Sequence, residues 1–154
     1  MSEISIEQAN LSDLDELIVW RMEVLHEVFH IPADTDISAL KRANLEYYCH
    51  AFKKGEHIAC FARYKGQKVA CGAFCLQREM PSPDNPTGRC AYLMNIYVRS
   101  PFRRLHIGTA VVSWLIEQAK LSGIGKIYLE TSDIGRAMYH VLHFEEMKDI
   151  MKLQ

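Results

Sequence analysis

With 154 residues, 49% of them apolar and 24% charged, the chain can bury one substantial core but not two. Its 18 lysines and arginines against 19 aspartates and glutamates exclude a protein that works by offering a basic surface to nucleic acid. No run nears the roughly 20 apolar residues of a membrane-spanning helix, and the acidic opening MSEISIEQANLSDLDEL lacks the basic and apolar blocks of a secretion signal. A cytoplasmic protein of one domain over 1–154, with neither membrane nor nucleic acid as partner, is the expectation.

In chain order, residues 3–6 read as a short strand. Asn10 or Ser12 suits the cap of a helix beginning near Leu11, whose first turn carries Asp13, Asp15 and Glu16 at the positive end of the helix dipole. Leu14, Leu17, Ile18, Leu25, Val28 and Phe29 recur at helical spacing until Pro32 stops the pattern. A second helix runs from about Ile37 to Lys53 and ends at Gly55. From His57 the period becomes two: Ile58, Cys60 and Ala62 alternate, Lys65-Gly66 makes a turn, and 69–76 is the return strand of a hairpin. Residues 80–89 hold three of the five prolines and read as a loop. Then follow a β-rich run over 91–98, a helix over 108–121 ending at Gly123, and a strand over 126–131. A short helix over 135–142 and a last strand over 144–153 complete the chain. This alternation predicts a mixed α/β domain around a central sheet.

The five cysteines (Cys49, Cys60, Cys71, Cys75 and Cys90) show no C-x-x-C pair of the kind that holds structural zinc. Cys71 and Cys75 share a strand-like run, about 13 Å apart at strand rise and beyond disulfide reach. They read as reduced, mostly buried small hydrophobes.

The densest chemistry lies in Tyr97-Val98-Arg99-Ser100-Pro101-Phe102-Arg103-Arg104-Leu105-His106-Ile107-Gly108-Thr109-Ala110. Here a strand runs into a basic turn that opens directly into an amphipathic helix. The first helical N–H groups lack intrahelical partners and carry the positive dipole end, which suits an anion. Arg103 and Arg104 add donors fitted to phosphate, and Gly108 removes a side chain where a phosphate would approach the backbone. An exposed basic turn that merely caps the helix reads equally well from these residues alone.

This segment resembles motif A of the GNAT superfamily of acetyl-CoA-dependent N-acetyltransferases, Q/R-x-x-G-x-G/A after a strand ending in Val. Arg103 matches its first position and Gly108 its last, while His106 stands at the first glycine. Near the C-terminus, Tyr139-His140-Val141-Leu142-His143-Phe144 resembles that family's Y-x-x-x-G-F, with His143 at the glycine. The likeness is good over 92–144, holds only as a pattern over 57–76, and over 1–56 is one of helix layout.

The resemblance implies a single GNAT-like α/β domain, its central mixed twisted sheet carrying two parallel strands that splay apart and helices on its flanks. It implies acetyl-CoA as cosubstrate and no metal. The pantetheine arm would pair with the backbone of Ile96, Tyr97 and Val98. The diphosphate would be held at Arg103, Arg104, Leu105, His106, Ile107, Gly108 and Thr109. A backbone N–H near Ile96 would stabilise the thioester oxyanion. Tyr139 would protonate the departing sulfur. Glu130, on the strand lining the cleft, is a candidate base for the amine, and equally a solvated end-of-strand carboxylate. The acceptor would be a small-molecule or peptide amine. Dimers are common in the superfamily, so a homodimer is compatible. A CoA-binding module with weak catalysis is the alternative that the two absent motif glycines suggest.

A competing pattern is His26-Glu27-Val28-Phe29-His30. It fits H-E-x-x-H on a helix, two imidazoles on one face for zinc and a glutamate as base, with Glu46 as an imaginable third ligand. A small zinc hydrolase is the reading it would support. The plainer one has His26 and His30 flanking an apolar stripe that Pro32 ends.

Overall fold

The computed structural model describes residues 3–154. Strand β1 (Ile4–Ala9) leads through a 3-10 turn (Leu11–Asp13) into helix α1 (Leu14–Val28), followed by α2 (Ser38–Lys53). The entry to α1 is built by Asn10 and Asp13. Ser12 N donates to Asn10 Oδ1 at 3.0 Å and Asn10 N donates to Asp13 Oδ2 at 2.9 Å, a reciprocal capping arrangement. Strands β2 (His57–Tyr64) and β3 (Gln67–Arg78) form a hairpin through Lys65 and Gly66, both at positive φ as a two-residue turn of matching twist needs. Then come β4 (Arg89–Val98), α3 (Ile107–Leu121), β5 (Lys126–Leu129) and α4 (Asp133–Val141).

The five strands lie in sequence order, β1 to β4 antiparallel and β5 parallel to β4. Helix α3 packs Val111, Val112 and Leu115 on one face of the sheet, over Phe74, Ala91 and Leu93. On the other face α1 and α2 bring Leu17, Trp20, Val24 and Tyr48 onto Phe61, Cys71 and Tyr97. The chain is thus the α/β domain expected, with helices on both sides of one mixed sheet.

Two features of β4 matter for function. It pairs with β5 only from Cys90 opposite Lys126 to Leu93 opposite Leu129, although it continues to Val98. Its residues 94–98 therefore keep an unpaired edge on the β5 side, because β5 ends at Leu129. Beside this opening β4 bulges: Cys71 faces Tyr97 and Ala73 faces Met94, so Gly72 alone stands against Asn95 and Ile96, with Asn95 at φ 57°. At Gly72 α3 comes close to the sheet. A Cβ there would lie 2.4 Å from Val111 Cγ1 and 2.9 Å from Ile96 Cδ1.

Two expectations fail. The last strand over 144–153 does not form; that stretch runs as turns and coil, with Met147, Ile150, Met151 and Leu153 exposed. At its start Glu146 pairs with Arg136 and lies 3.4 Å from His140 Nε2, which fastens the chain to α4. Strand β5 also stops at Leu129, short of the expected 131, so Glu130 lies just past the strand and not on it. The proline-rich loop forms as expected and is held by its own bonds. Glu79 N donates to Gly88 O at 2.7 Å, Ser82 and Asn85 bridge, and the buried Asn85 amide donates to Glu79 at 2.9 Å.

Candidate active site

The stretch joining β4 to α3 has an unusual backbone. After a 3-10 turn (Ser100–Phe102), Arg104 and His106 both take left-handed φ, 63° and 60°. Alternating left-handed and ordinary conformations turn successive N–H groups toward one concavity, a nest that attracts anions. The amides of residues 104–109 donate to no acceptor among the described residues; the first bonded one is Ala110, whose N–H reaches His106 O at 3.0 Å. No side chain caps the helix at His106. Six consecutive donors at or just before the positive end of a 15-residue helix are thus left without an acceptor among the described residues, in the connection that follows the unpaired edge of β4.

The two arginines of this turn part company. Arg104 is exposed and has no acidic partner among the described residues. Arg103 turns back: its Nε donates to Val98 O at 2.9 Å, and its guanidinium pairs with Glu27 of α1. Gly108 sits under α4, where a Cβ would stand 3.2 Å from Met138 Sδ and 3.6 Å from Val98 Cγ2.

Tyr97 joins this loop to α1. Its hydroxyl donates to Glu27 and lies 3.1 Å from Glu23 Oε1. Arg99 grips Glu23 with two bonds, at 2.9 and 2.8 Å, and stacks 4.0 Å above the Trp20 ring. Burial, then Glu27, pushes the Tyr97 phenol far above its usual range. The bonds from Tyr97 and Arg103 hold the Glu27 carboxyl below its ordinary value, and Arg99 does the same for Glu23. Sequence reasoning missed this lattice. Its one trace was the spacing of Glu23 and Glu27, four apart on one helical face.

Helix α4 ends by presenting Tyr139. Phe144 N donates to Tyr139 O and His143 N to His140 O, both at 3.0 Å, while His143 takes φ 67°. This is a Schellman ending, completed by the Phe144 ring standing edge-on to Tyr139 at 5.6 Å. Gly135 makes room one turn earlier, where a Cβ would lie 2.7 Å from Thr131 Oγ1 and 3.3 Å from Tyr139 Cε2. Tyr139 is 8% exposed, burial raises its phenol pKa, and its hydroxyl bonds to no described residue. With Glu130 it borders an open cavity of about 1030 Å³ between β5, α4 and the C-terminal stretch. Glu130 is exposed and lies by Tyr92, whose phenol is pushed to about 12 by burial first and this carboxylate second.

A family model, the acetyltransferase (GNAT) family, matches residues 25–144. The chain belongs to the GNAT acetyltransferases. Solved structures agree on the fold. A predicted acetyltransferase from Clostridium acetobutylicum, solved with acetyl-CoA, superposes with a TM-score of 0.85 at 24% identity, covering 98% of this chain and 96% of its own. A GCN5-related N-acetyltransferase from Ralstonia eutropha JMP134 gives 0.79 at 17% identity, with 98% of both chains covered. An aminoglycoside N-acetyltransferase in complex with CoA gives 0.74 at 15%, covering 98% and 93%. Among curated proteins none matches the sequence significantly.

In this GNAT domain the two histidines that replace motif glycines, His106 and His143, both hold the left-handed φ that glycine adopts without strain. Histidine is among the side chains that enter this region more readily. The H-E-x-x-H residues are otherwise engaged. His26 Nδ1 lies 3.0 Å from Ile31 O, Glu27 is held by Tyr97 and Arg103, and His30 is the left-handed residue that ends α1. Among the described residues no group of three or more His, Cys, Asp or Glu side chains stands where it could hold a metal ion. No described helix is long and apolar enough to cross a membrane.

Proposed function

We propose that this chain transfers an acetyl group from acetyl-CoA to a primary amine, by direct attack while both are bound. The run of unpartnered amides over 104–109 carries the reading, because it is a diphosphate-sized cluster of donors at a helix start. Exposed Arg104 adds charge beside it. The free edge of β4 over 96–98 would bind the pantetheine arm as a further strand. These groups fit the cosubstrate. Bound acetyl-CoA supplies a thioester whose carbonyl carbon is open to an amine.

The rest falls to this chain's own groups. The Ile96 backbone, next to the bulge, would offer an N–H to the carbonyl oxygen as charge builds there. Tyr139 keeps its proton at neutral pH, since burial raises its pKa, and would pass it from Oη to the departing sulfur. Glu130 would take the amine's proton, directly or through water. The cytoplasm, whose thiol pool keeps its five free cysteines reduced, is the compartment we assign.

Calorimetry with CoA tests the site. Wild-type protein should bind CoA with a micromolar Kd, and Gly108→Glu should abolish the heat by placing bulk and negative charge among the amides. Equal affinity in the two proteins would refute the assignment.

A further inference from the structure

Among the described residues, most basic side chains that reach into the body of the domain meet a carboxylate; Arg21 of α1, like Arg89 with its bond to Ser122 O, does not. Arg63, Lys68, Arg99, Arg103 and Lys126 each pair with a glutamate. Arg21 is half-buried and has no carboxylate partner among the described residues. Its Nε donates to Asn44 Oδ1 and its Nη1 to Asn95 Oδ1, both at 3.0 Å. These neutral oxygens aim the guanidinium without balancing its charge. Withdrawing a cation from water with no counter-charge is unfavourable, so the fold keeps it there against a cost.

Arg21 opens on a cavity of about 190 Å³ between α1, α2 and β4, and His57 lines the same space. His57 is only 4% exposed, and its Nε2 has no hydrogen-bond partner. Burial, then Arg21, lowers its pKa to about 4, so the ring is neutral at pH 7 and carries one N–H. The Tyr47 hydroxyl lies 2.8 Å from Nδ1 and 4.0 Å from Met94 Sδ. An uncompensated guanidinium thus borders a small space whose wall includes the buried His57 ring, packed among Tyr47, Tyr48 and Phe52. That space adjoins Asn95, the bulge residue one position before Ile96 on the open edge of β4.

We propose that this cavity receives a carboxylate of the amine acceptor, with Arg21 as counter-charge, which makes the substrates small molecules bearing both an amine and a carboxylate. A planar carboxylate matches the guanidinium fork. One cation balances one negative charge, whereas a phosphate dianion would be left half compensated. The volume equals about six waters at ~30 Å³ each, room for a carboxylate and a few carbons.

This inference rests on the acetyl-transfer reading, and the test separates the two. CoA release from acetyl-CoA is measured with the standard amino acids, 4-aminobutyrate and 5-aminovalerate, each beside its carboxamide, while CoA binding is followed by calorimetry. At least one carboxylate-bearing amine should turn over, with kcat/KM at least tenfold above that of its carboxamide. Arg21→Gln should lower that kcat/KM at least tenfold, mainly through KM, and leave CoA affinity within twofold of wild type; Arg21→Lys, which keeps the charge, should recover part of it. CoA binding with no turnover of any carboxylate-bearing amine, or equal turnover of acid and carboxamide, overturns the inference and leaves cosubstrate binding intact. Absence of CoA binding refutes the transferase reading and this inference with it.

Discussion

At the scale of single residues, Tyr139 is the side chain we propose as the general acid. It is raised by burial, free at its hydroxyl, and fixed by a helix ending whose own backbone bonds run through residues 139 and 140. Tyr139→Phe removes one oxygen and leaves the Phe144 packing in place. It should lower kcat by about 100-fold, the lower range for a lost general acid, with CoA affinity unchanged in calorimetry. An unaltered kcat would dismiss the role. His143 invites the opposite experiment. Its left-handed φ strains a side chain by about 1–2 kcal/mol, whereas glycine gives back about 0.5–1 kcal/mol of chain entropy. His143→Gly should therefore raise stability by about 0.5–1 kcal/mol, read as an increase of a few degrees in Tm. The motif positions were legible in the sequence even though histidine stood at both. What could not be read was that each histidine keeps glycine's backbone, because φ is set by the hydrogen bonds of the helix end and not by side-chain type. The ion pair of Arg103 was not legible for a related reason: spacing put it beside the nest, but its partner Glu27 lies 76 positions away in the chain.

At the scale of elements, α3 packs on the sheet beside the opening between β4 and β5. Gly72 faces the bulge on one side and Val111, Ile96 and Leu115 on the other. Ile96 is also the residue whose backbone borders the cleft, so pressure at Gly72 bears on the site. Gly72→Ala forces those side chains apart and should destabilise the domain by about 1–3 kcal/mol. A denaturant titration would register this as a lower midpoint at constant slope. Element order was plain in the sequence from period and punctuation, down to the turn at Lys65 and Gly66. The failed last strand marks the limit of that method. Strand-like composition over 144–153 names no neighbour, and Glu146 bonds to α4.

At the scale of the whole molecule, the same groups that shape the site set its response to acid. His57 is neutral and buried, its pKa lowered from 6.5 to about 4. The unfolded chain therefore takes up a proton at this residue below pH 6.5 that the folded chain refuses, and the stability it contributes above 6.5 drains away as pH falls toward 4. The full difference amounts to about 3 kcal/mol at ~1.4 kcal/mol per pH unit. Glu7, Glu23 and Glu27 follow. Their carboxyls are held below 4.5, Glu7 by Arg63, Glu23 by Arg99 and Glu27 by Tyr97 with Arg103. Their contribution is complete above 4.5 and is lost as pH drops through the lowered folded values. All three are substantially open to solvent, so each shift stabilises modestly. The unfolding free energy should accordingly be level between pH 7 and 8, decline from about 6.5, and fall further below 4.5. His57→Gln should remove the decline between 6.5 and 4.5 while leaving the steeper loss beneath it. Denaturant melts across that range distinguish the two stages, and a wild-type profile that stays level down to pH 4.5 would show that His57 takes its proton as readily in the fold as out of it.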